Sequence, residues 1–374
     1  MLVHICCSVD SHYFLQKIRE EFPEEKLTGF FYDPNIHPFS EYKLRLLDVQ
    51  RSCNLLDIEL IEGEYDYENW LQSINFFELE NEPEKGKRCE LCFDNRLEVT
   101  VQKALELGEK KFTTSLLISP LKSQNQLLKS GNELAEKNNL EFIFRDYRSK
   151  GGAEKQNLLS KEDQLYRQDY CGCFIGLSHQ RNQQNRFNDE VISDISKNRI
   201  LPNSIEERLK IYTKRINLES KNRDYKIIKE SFFNQRILNA FIKIDKKIVP
   251  SYFLFYSTMP RERNGIYAQK LKLDFIFDDV VYLNRDSVKI IDLNYFNKFS
   301  EQKYSSVQEL IFQNSENLET EIKIRNKVLN TQNDFNSSII IIIDKLDLIQ
   351  ANSKVEVKLS EKNYTSSREK ILIL

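Results

Sequence analysis

The sequence predicts an α/β protein, with a Rossmann-like parallel sheet that has helices on both faces, followed by a C-terminal α+β extension. The first observation is that short apolar segments alternate with helical patterns up to Phe144, as in doubly wound sheets. The second is the length of 374 residues, which favours two domains over one. The third is a change of pattern beyond residue 185. We therefore predict a first domain at 1–185 and an extension at 186–374.

The strands of the first domain are predicted from short apolar runs, which are typical of buried parallel strands. They cover residues 2–5, 27–32, 57–62, 111–118 and 140–144. Helices are predicted where apolar residues recur at helical spacing or follow a cap. They begin near Asp10, Phe39, Tyr65, Cys89 and Gln124. In this arrangement Cys6 and Cys7 end the first strand, at the sheet edge where such folds bind ligands.

The second half has a different pattern. Residues 187–245 are predicted to be mainly helical and basic. Strands are predicted at 252–255, 270–277, 280–283, 288–293, 338–343 and 354–359. These segments favour a second α+β domain.

Charge is divided unevenly along the chain. Residues 1–180 carry 22 Lys and Arg against 31 Asp and Glu, a net −9, whereas residues 181–374 carry 33 against 26, a net +7. The surplus lies in residues 181–250, with 16 basic against 9 acidic residues. Such a segment is typical of a polyanion-binding surface, although a solvated helical face is the alternative. We therefore consider this segment a candidate nucleic-acid-binding region.

The redox compartment decides how the cysteines are interpreted. We see no signal peptide and no apolar run long enough to cross a membrane, so we expect a cytoplasmic protein with no membrane partner. Cytoplasmic thiols stay reduced, and clustered cysteines there are metal ligands or catalytic groups more often than disulfides.

Six of the seven cysteines come in three pairs, all before residue 180: Cys6–Cys7, Cys89-x-x-Cys92 and Cys171-x-Cys173. The seventh, Cys53, lies on the apolar stripe of a helix and is predicted to be a small buried hydrophobe. One structural zinc uses four ligands and would leave two of the paired thiols unused. A cubane iron–sulfur cluster also uses four, and leaves two thiols and Asp10 for a further metal. Zinc alone and metal-free thiol redox chemistry remain alternatives.

Nucleotide-binding signatures are absent from the sequence. No GxxxxGK[ST] and no GxGxxG pattern occurs, so a P-loop or NAD site has no support. A reductase built on these thiols would need an external electron donor.

The first 180 residues resemble the cobalamin-independent epoxyqueuosine reductase family, QueH. The resemblance rests on blocks whose order and spacing match, covering about half of the chain. They are His4-x-Cys6-Cys7, Phe31-Tyr32-Asp33-Pro34-Asn35-Ile36-His37-Pro38, Glu41-Tyr42 with Arg45, Gly86-x-Arg88-Cys89-x-x-Cys92 with Arg96-Leu97, Phe112-Thr113-Thr114-Ser115-Leu116-Leu117-x-Ser119-Pro120 and Tyr166-Arg167-Gln168-x-Tyr170-Cys171-Gly172-Cys173.

The resemblance implies an oxidoreductase that converts epoxyqueuosine to queuosine at the wobble position of tRNAs with a GUN anticodon, the last step of queuosine biosynthesis. It implies a 4Fe–4S cluster with an adjacent mononuclear iron. Carried over by position, the metal ligands are Cys6, Cys7, Asp10, Cys89, Cys92, Cys171 and Cys173. This chain has Val9-Asp10 where family members often have Pro followed by Cys or Asp, so Asp10 is either a catalytic iron ligand or only a helix cap.

Four residues are candidates to bind the substrate, because their loops are expected at the same sheet edge: Tyr32, Asn35, His37 and Arg167. For each, a hydrogen bond that braces its loop is the alternative. An anticodon-loop nucleotide is single-stranded, so it can enter such a crevice without the opening of a duplex. The competing function is a zinc-stabilised tRNA-binding module without redox activity.

Overall fold

The computed structural model describes residues 1–120, 122–186, 188, 201–254, 265–285, 287–313, 318–330 and 339–374. The chain forms two compact units. The first comprises Met1–Val191, Arg208–Ile227 and Ile371–Leu374. The second comprises Ile192–Glu207 and Ile228–Lys370. No helix among the described residues is long and apolar enough to span a membrane.

A five-stranded parallel sheet forms the centre of the first unit. Its strands are β1 (Leu2–Ile5), β2 (Thr28–Phe31), β3 (Glu59–Glu62), β4 (Lys111–Thr114) and β5 (Glu141–Phe142). Their spatial order is β3-β2-β1-β4-β5, which is the order of a Rossmann-type sheet. Strand β1 is central and buried throughout, so the segment that carries Cys6 is fixed by neighbours on both sides. The predicted α/β class is confirmed.

Helices α1 to α9 have the following bounds: α1 (Ser8–Glu21), α2 (Phe39–Leu55), α3 (Tyr67–Ser73), α4 (Phe76–Leu79), α5 (Lys87–Glu106), α6 (Gln124–Asn138), α7 (Gly152–Glu162), α8 (Phe174–Gln183) and α9 (Ile205–Glu219). Two sequence predictions were wrong in detail. The helix predicted over 65–77 divides into α3 and α4, because Asn75 between them has a left-handed φ of 50°. The strand predicted to Ile118 ends at Thr114, whose side chain caps a 3₁₀ turn over Ser115–Ile118.

Helix α9 is anchored on the first unit by buried arginines. Arg215 is fully buried and pairs with the equally buried carboxylate of Asp48. Arg208 donates to the Tyr166 hydroxyl at 3.2 Å and to Asp169 at 3.0 Å. Residues 208–227, which we assigned to the extension, therefore belong to the unit that carries the cysteines. Part of the basic surplus of residues 181–250 serves the fold and does not face a partner.

The second unit contains two sheets. Their strands are β6 (Tyr225–Ile244), β7 (Lys247–Val249), β8 (Ser251–Phe253), β9 (Gly265–Leu271), β10 (Leu273–Phe277), β11 (Val280–Leu283), β12 (Val288–Asp292), β13 (Ile339–Ile343) and β14 (Val355–Ile373). The orders are β10-β11-β12-β13-β8 and β7-β6-β14-β9. The helices that complete the chain are α10 (Leu293–Phe299), α11 (Val307–Gln313) and α12 (Leu318–Leu329).

The prediction of mainly helix over 187–245 was wrong for residues 225–244, which form β6. Strand β6 pairs with β14, which lies more than a hundred residues away in the sequence. No local sequence pattern therefore predicts this strand. The start of that predicted segment, at residue 187 and residues 189–200, lies outside the described residues. So do Phe255 and Ser338, at the ends of two predicted strands.

The anchoring of α9 predicts a stability effect. Replacement Arg215→Ala leaves the Asp48 carboxylate buried without its ion partner, which costs about 3–5 kcal/mol. We expect the thermal unfolding midpoint to fall by roughly 10 °C, measured by differential scanning fluorimetry. The neighbouring exposed Lys214 provides the control, since Lys214→Ala should change the midpoint little. Equal midpoints for the two variants would contradict the anchoring role.

Candidate metal centre and adjoining cavity

The first cysteine pair lies where β1 passes into α1. Cys6 follows the last residue of β1, and Cys7 occupies the N-cap of α1. The Cys6 sulfur lies 3.8 Å from the Cys7 sulfur and 3.7 Å from Oδ2 of Asp10 in the first turn of α1. Ligand atoms of these three residues lie within 4.8 Å of one another, so they could hold one metal ion.

The second pair occupies the start of α5. Gly86 is the N-cap, and Cys89 and Cys92 lie three residues apart on the same side of the helix. The Cys89 sulfur accepts a hydrogen bond from the backbone N–H of Lys85 at 3.3 Å. The Cys92 sulfur accepts one from the indole N–H of Trp70, also at 3.3 Å. Both sulfurs are thus held by N–H donors.

The third pair lies in the loop that precedes α8. Gly172 has a φ of 109°, and a Cβ there would lie 2.8 Å from a side-chain carbon of Ile36, so glycine is required. The hydrogen bond between the two thiols lowers the pKa of Cys171 and raises that of Cys173. Arg45 donates to the backbone carbonyls of Tyr170 and Cys171 at 3.0 and 3.2 Å, which fixes the loop.

Two cations, Lys122 and Arg96, interact with sulfurs from all three pairs. Lys122 interacts electrostatically with Cys171, Cys92 and Cys89. Burial lowers the pKa of Lys122, but these thiolates outweigh burial and the net shift is upward. Arg96 interacts with Cys92 and Cys6 in the same way. The two positive charges can therefore compensate several thiolates.

The seventh cysteine has a different environment. Cys53 is fully buried in α2, within the hydrophobic core of the first unit. Burial raises the pKa of its thiol to about 12. This is the packing role that we predicted for Cys53.

A cavity of about 340 Å³ opens beside the thiols. Cys6, Asp10 and Cys171 line it together. Its cationic side chains are Arg45, Arg96, Lys122 and Arg167. The cavity thus joins one candidate ligand that follows β1, one from α1 and one from the third cysteine pair to a positively charged wall.

The carboxylate of Asp10 has a fixed orientation in this cavity. Gln156 of α7 donates to Oδ1 of Asp10 at 2.8 Å and to the carbonyl of Val9 at 3.1 Å. Burial raises the pKa of Asp10, and the hydrogen bond from Gln156 opposes this shift. Oδ2 faces the Cys6 sulfur. Asp10 lies in the first turn of α1 and not at its N-cap, which is Cys7.

Comparisons with known proteins identify the family of this chain. The family described as "Epoxyqueuosine reductase QueH" matches residues 1–179. A protein named "Epoxyqueuosine reductase QueH" from Helicobacter pylori is 40% identical over 337 residues, covering 87% of this chain and 89% of that protein. The chain belongs to the epoxyqueuosine reductase QueH family. The predicted family is therefore confirmed.

Other QueH proteins match a shorter part of the chain. The relative from Histophilus somni is 37% identical over 179 residues, 47% of this chain and 72% of that protein. The relative from Thermotoga maritima is 37% identical over 186 residues, 48% of this chain and 92% of that protein. The Helicobacter alignment is longer than the first domain, so it includes part of the C-terminal extension.

The four predicted substrate residues of this QueH protein have different environments. Arg167 lines the cavity and contacts Asn157. The Tyr32 hydroxyl donates to Asp66 at 2.9 Å, Asn35 donates to the carbonyl of Cys171 at 3.4 Å, and the His37 ring packs against two aromatic rings. Among the residues described, these last three do not line the cavity. Their contacts brace loops, while their roles toward a substrate stay predictions.

Sequence reasoning missed Lys122 and Gln156 as residues of the QueH site. Lys122 follows β4 by eight residues, just beyond Ser119-Pro120, so the rule that ligands bind at the carboxyl edge could have identified it. Gln156 lies on α7, more than 140 residues from Asp10, and no local pattern connects the two.

The thiol geometry predicts which cysteines bind metal. Replacement Cys92→Ser should remove a ligand and abolish the broad absorption at about 400 nm that an iron–sulfur cluster gives anaerobically purified protein. Cys53→Ala is the matched control, because Cys53 is buried in the core and should leave iron and sulfide content unchanged. Loss of iron from Cys53→Ala, with iron retained in Cys92→Ser, would reverse the assignment.

Proposed function

We propose that this chain reduces epoxyqueuosine to queuosine at the wobble nucleotide of tRNA, the last step of queuosine biosynthesis. The epoxide accepts two electrons and two protons, its two carbon–oxygen bonds break, and the products are an alkene and water. Membership of the QueH family supports this activity and does not favour the zinc-stabilised tRNA-binding module. The observation that carries the proposal is the cavity in which Cys6, Asp10 and Cys171 meet a cationic wall.

The donor set fits the metals that the family resemblance implies. Six thiols and a carboxylate suit a 4Fe–4S cluster and an adjacent iron. Several buried polar atoms around them lack a hydrogen-bond partner among the described residues, including Oδ2 of Asp33, Oδ1 of Asn35 and Oε1 of Gln168. We assign the adjacent iron to Cys6, Cys7 and Asp10, whose ligand atoms are grouped, and the cluster to Cys89, Cys92, Cys171 and Cys173. When bound, these groups would supply the electrons and a Lewis acid for the epoxide oxygen.

The protein's own residues would hold these ligands and the substrate in place. Gln156 orients the Asp10 carboxylate, and Arg45 fixes the loop of the third cysteine pair. Lys122 and Arg96 compensate the negative charge of the thiolates. The exposed guanidinium of Arg167 lies at the cavity, where it can contact a phosphate of the nucleotide.

The anticodon stem would be bound by exposed lysines on and just after α9. Arg208 and Arg215 mark its buried face. Lys210 and Lys214 lie on the opposite side of the helix and are exposed, and Lys221, two residues after the helix ends, is exposed as well. Because their partners would be phosphates, the contact should be independent of base sequence.

The decisive experiment is anaerobic quantitation of iron and sulfide, coupled to conversion of epoxyqueuosine in tRNA. Iron, acid-labile sulfide and turnover with a chemical reductant are the expected results. A colourless zinc protein that binds tRNA without turnover would instead establish the alternative. The physiological electron donor and the cytoplasmic location stay predictions.

Replacement Asp10→Asn should weaken the adjacent iron selectively. We expect iron to fall by about one atom per chain at unchanged sulfide, and turnover to fall by about 100-fold or more, because an amide is a weaker ligand than a carboxylate. Inductively coupled plasma analysis and the tRNA assay measure these quantities. Glu162→Gln, at an exposed position at the end of α7, is the control. Wild-type iron content and turnover in Asp10→Asn would contradict the ligand role.

Charge reversal of the exposed lysines on and just after α9 should weaken tRNA binding. For the triple variant Lys210→Glu, Lys214→Glu, Lys221→Glu we expect affinity to fall roughly tenfold or more and the plot of log K against log salt to be shallower by about 2. The control variant reverses Lys110, Lys129 and Lys137, three exposed lysines elsewhere in the first unit. If both triple variants bind tRNA equally well in fluorescence anisotropy, the stem is bound elsewhere.

A further inference from the structure

Trp70 is the single tryptophan of the chain, and it is almost completely buried. An indole N–H can donate a hydrogen bond but cannot accept one, and when buried it needs an acceptor. Here the acceptor is the sulfur of Cys92, 3.3 Å from the indole nitrogen. A hydrogen bond that would ordinarily be made to an oxygen is made to a thiol of the candidate metal centre.

The indole is held in this position by its surroundings. Trp70 lies in α3 and packs with Ile74, Ile175 and Cys173 in a small hydrophobic cluster that also contains Cys92. The ring of Tyr67, one helical turn earlier, lies 5.6 Å from the indole. The donor is therefore fixed by packing and does not depend on a flexible side chain.

Trp70 is one of several donors to these sulfurs, and the charged side chain of Arg96 also makes a hydrogen bond to Cys92. The N–H that reaches Cys89 belongs to the backbone of Lys85, and the hydroxyl of Ser115 approaches Cys6 at the longer distance of 3.6 Å. The Trp70 bond couples a neutral side-chain N–H to a sulfur that we assign to the cluster. A side-chain substitution can remove it without altering the main chain.

We propose that Trp70 is a positioning residue that donates its indole N–H to the Cys92 thiolate and so raises the reduction potential of the cluster. Added electrons increase the negative charge on the ligand sulfurs, so a hydrogen bond to a sulfur stabilises the reduced state more than the oxidised state. The inference rests on the proposed function, because it requires Cys92 to bind an iron–sulfur cluster. It makes delivery of electrons to the cluster easier for the external donor.

The test replaces the indole nitrogen alone. Since the chain has one tryptophan, incorporation of benzothienylalanine at position 70 changes a single atom position, exchanging N–H for sulfur at nearly the same volume. We expect its midpoint potential, from anaerobic redox titration of the full-length protein, to become more negative by about 59 mV, a tenfold change in the ratio of reduced to oxidised cluster. Trp70→Phe should shift in the same direction. 5-Fluorotryptophan keeps the N–H and should retain the wild-type potential.

A second readout uses tryptophan emission. Loading the metal-free protein with iron and sulfide should quench the emission of Trp70, because the indole contacts a ligand sulfur. An unchanged potential in a benzothienylalanine variant with full iron and sulfide content would overturn the proposal and leave the reductase activity standing. Failure of that variant to bind a cluster would also overturn it, since the N–H would then be needed for assembly. If the wild-type protein itself binds no cluster, that result rejects the proposed function, on which the role of Trp70 depends.

Discussion

The structure depends on charge compensation at the carboxyl edge of the first sheet. Six thiols come from three distant segments, and a buried thiolate is costly unless positive charge lies near it. Arg96, which is buried, and Lys122, which is half-buried, provide that charge from within the protein. Arg96 also pairs with Asp33 in the loop after β2, which ties this loop to α5. The interactions that lower the cost of burying the thiolates therefore also hold the loops of the site together.

A second layer of buried ionic contacts supports the third cysteine pair. The two terminal nitrogens of Arg45 donate to the loop carbonyls, and its Nε donates to Oε1 of Glu41 at 2.7 Å. Glu41 accepts a hydrogen bond from Tyr166 at 2.9 Å, and Tyr166 in turn accepts one from Arg208. Because every member of this chain of contacts is buried, removal of one leaves a partner unsatisfied. The position of Cys171 is thus determined by helices α2 and α9 as well as by its own loop.

Much of this site could be predicted because its signals are local. The short apolar run at 2–5 ends at Cys6, and the spacing of Cys89 and Cys92 identifies a ligand pair on one helix face. Parallel-sheet geometry then places strand ends at one edge. These rules predicted the α/β class and placed Cys6–Cys7 at the edge that lines the cavity.

The remainder depends on partners far apart in the sequence. Arg215 looks like one more cation in a basic segment until its partner Asp48 is seen, 167 residues earlier. Strand β6 was predicted as helix because its pairing partner β14 lies near the other end of the chain. Gln156 belongs to no recognisable sequence motif, and its role depends on the hydrogen bond that it donates to Asp10. Each of these depends on tertiary contacts that residue type and spacing do not encode.

The ion pair between Arg215 and Asp48 also bears on where the first domain ends. The family match ends at residue 179, yet the unit that contains the cysteines needs an arginine from beyond residue 200 to neutralise a carboxylate in its interior. A gene fragment cut where the family similarity stops would encode all six paired thiols but lack this counter-charge. In this chain, the border of the family match at residue 179 therefore differs from the border of the compact unit that carries the cysteines.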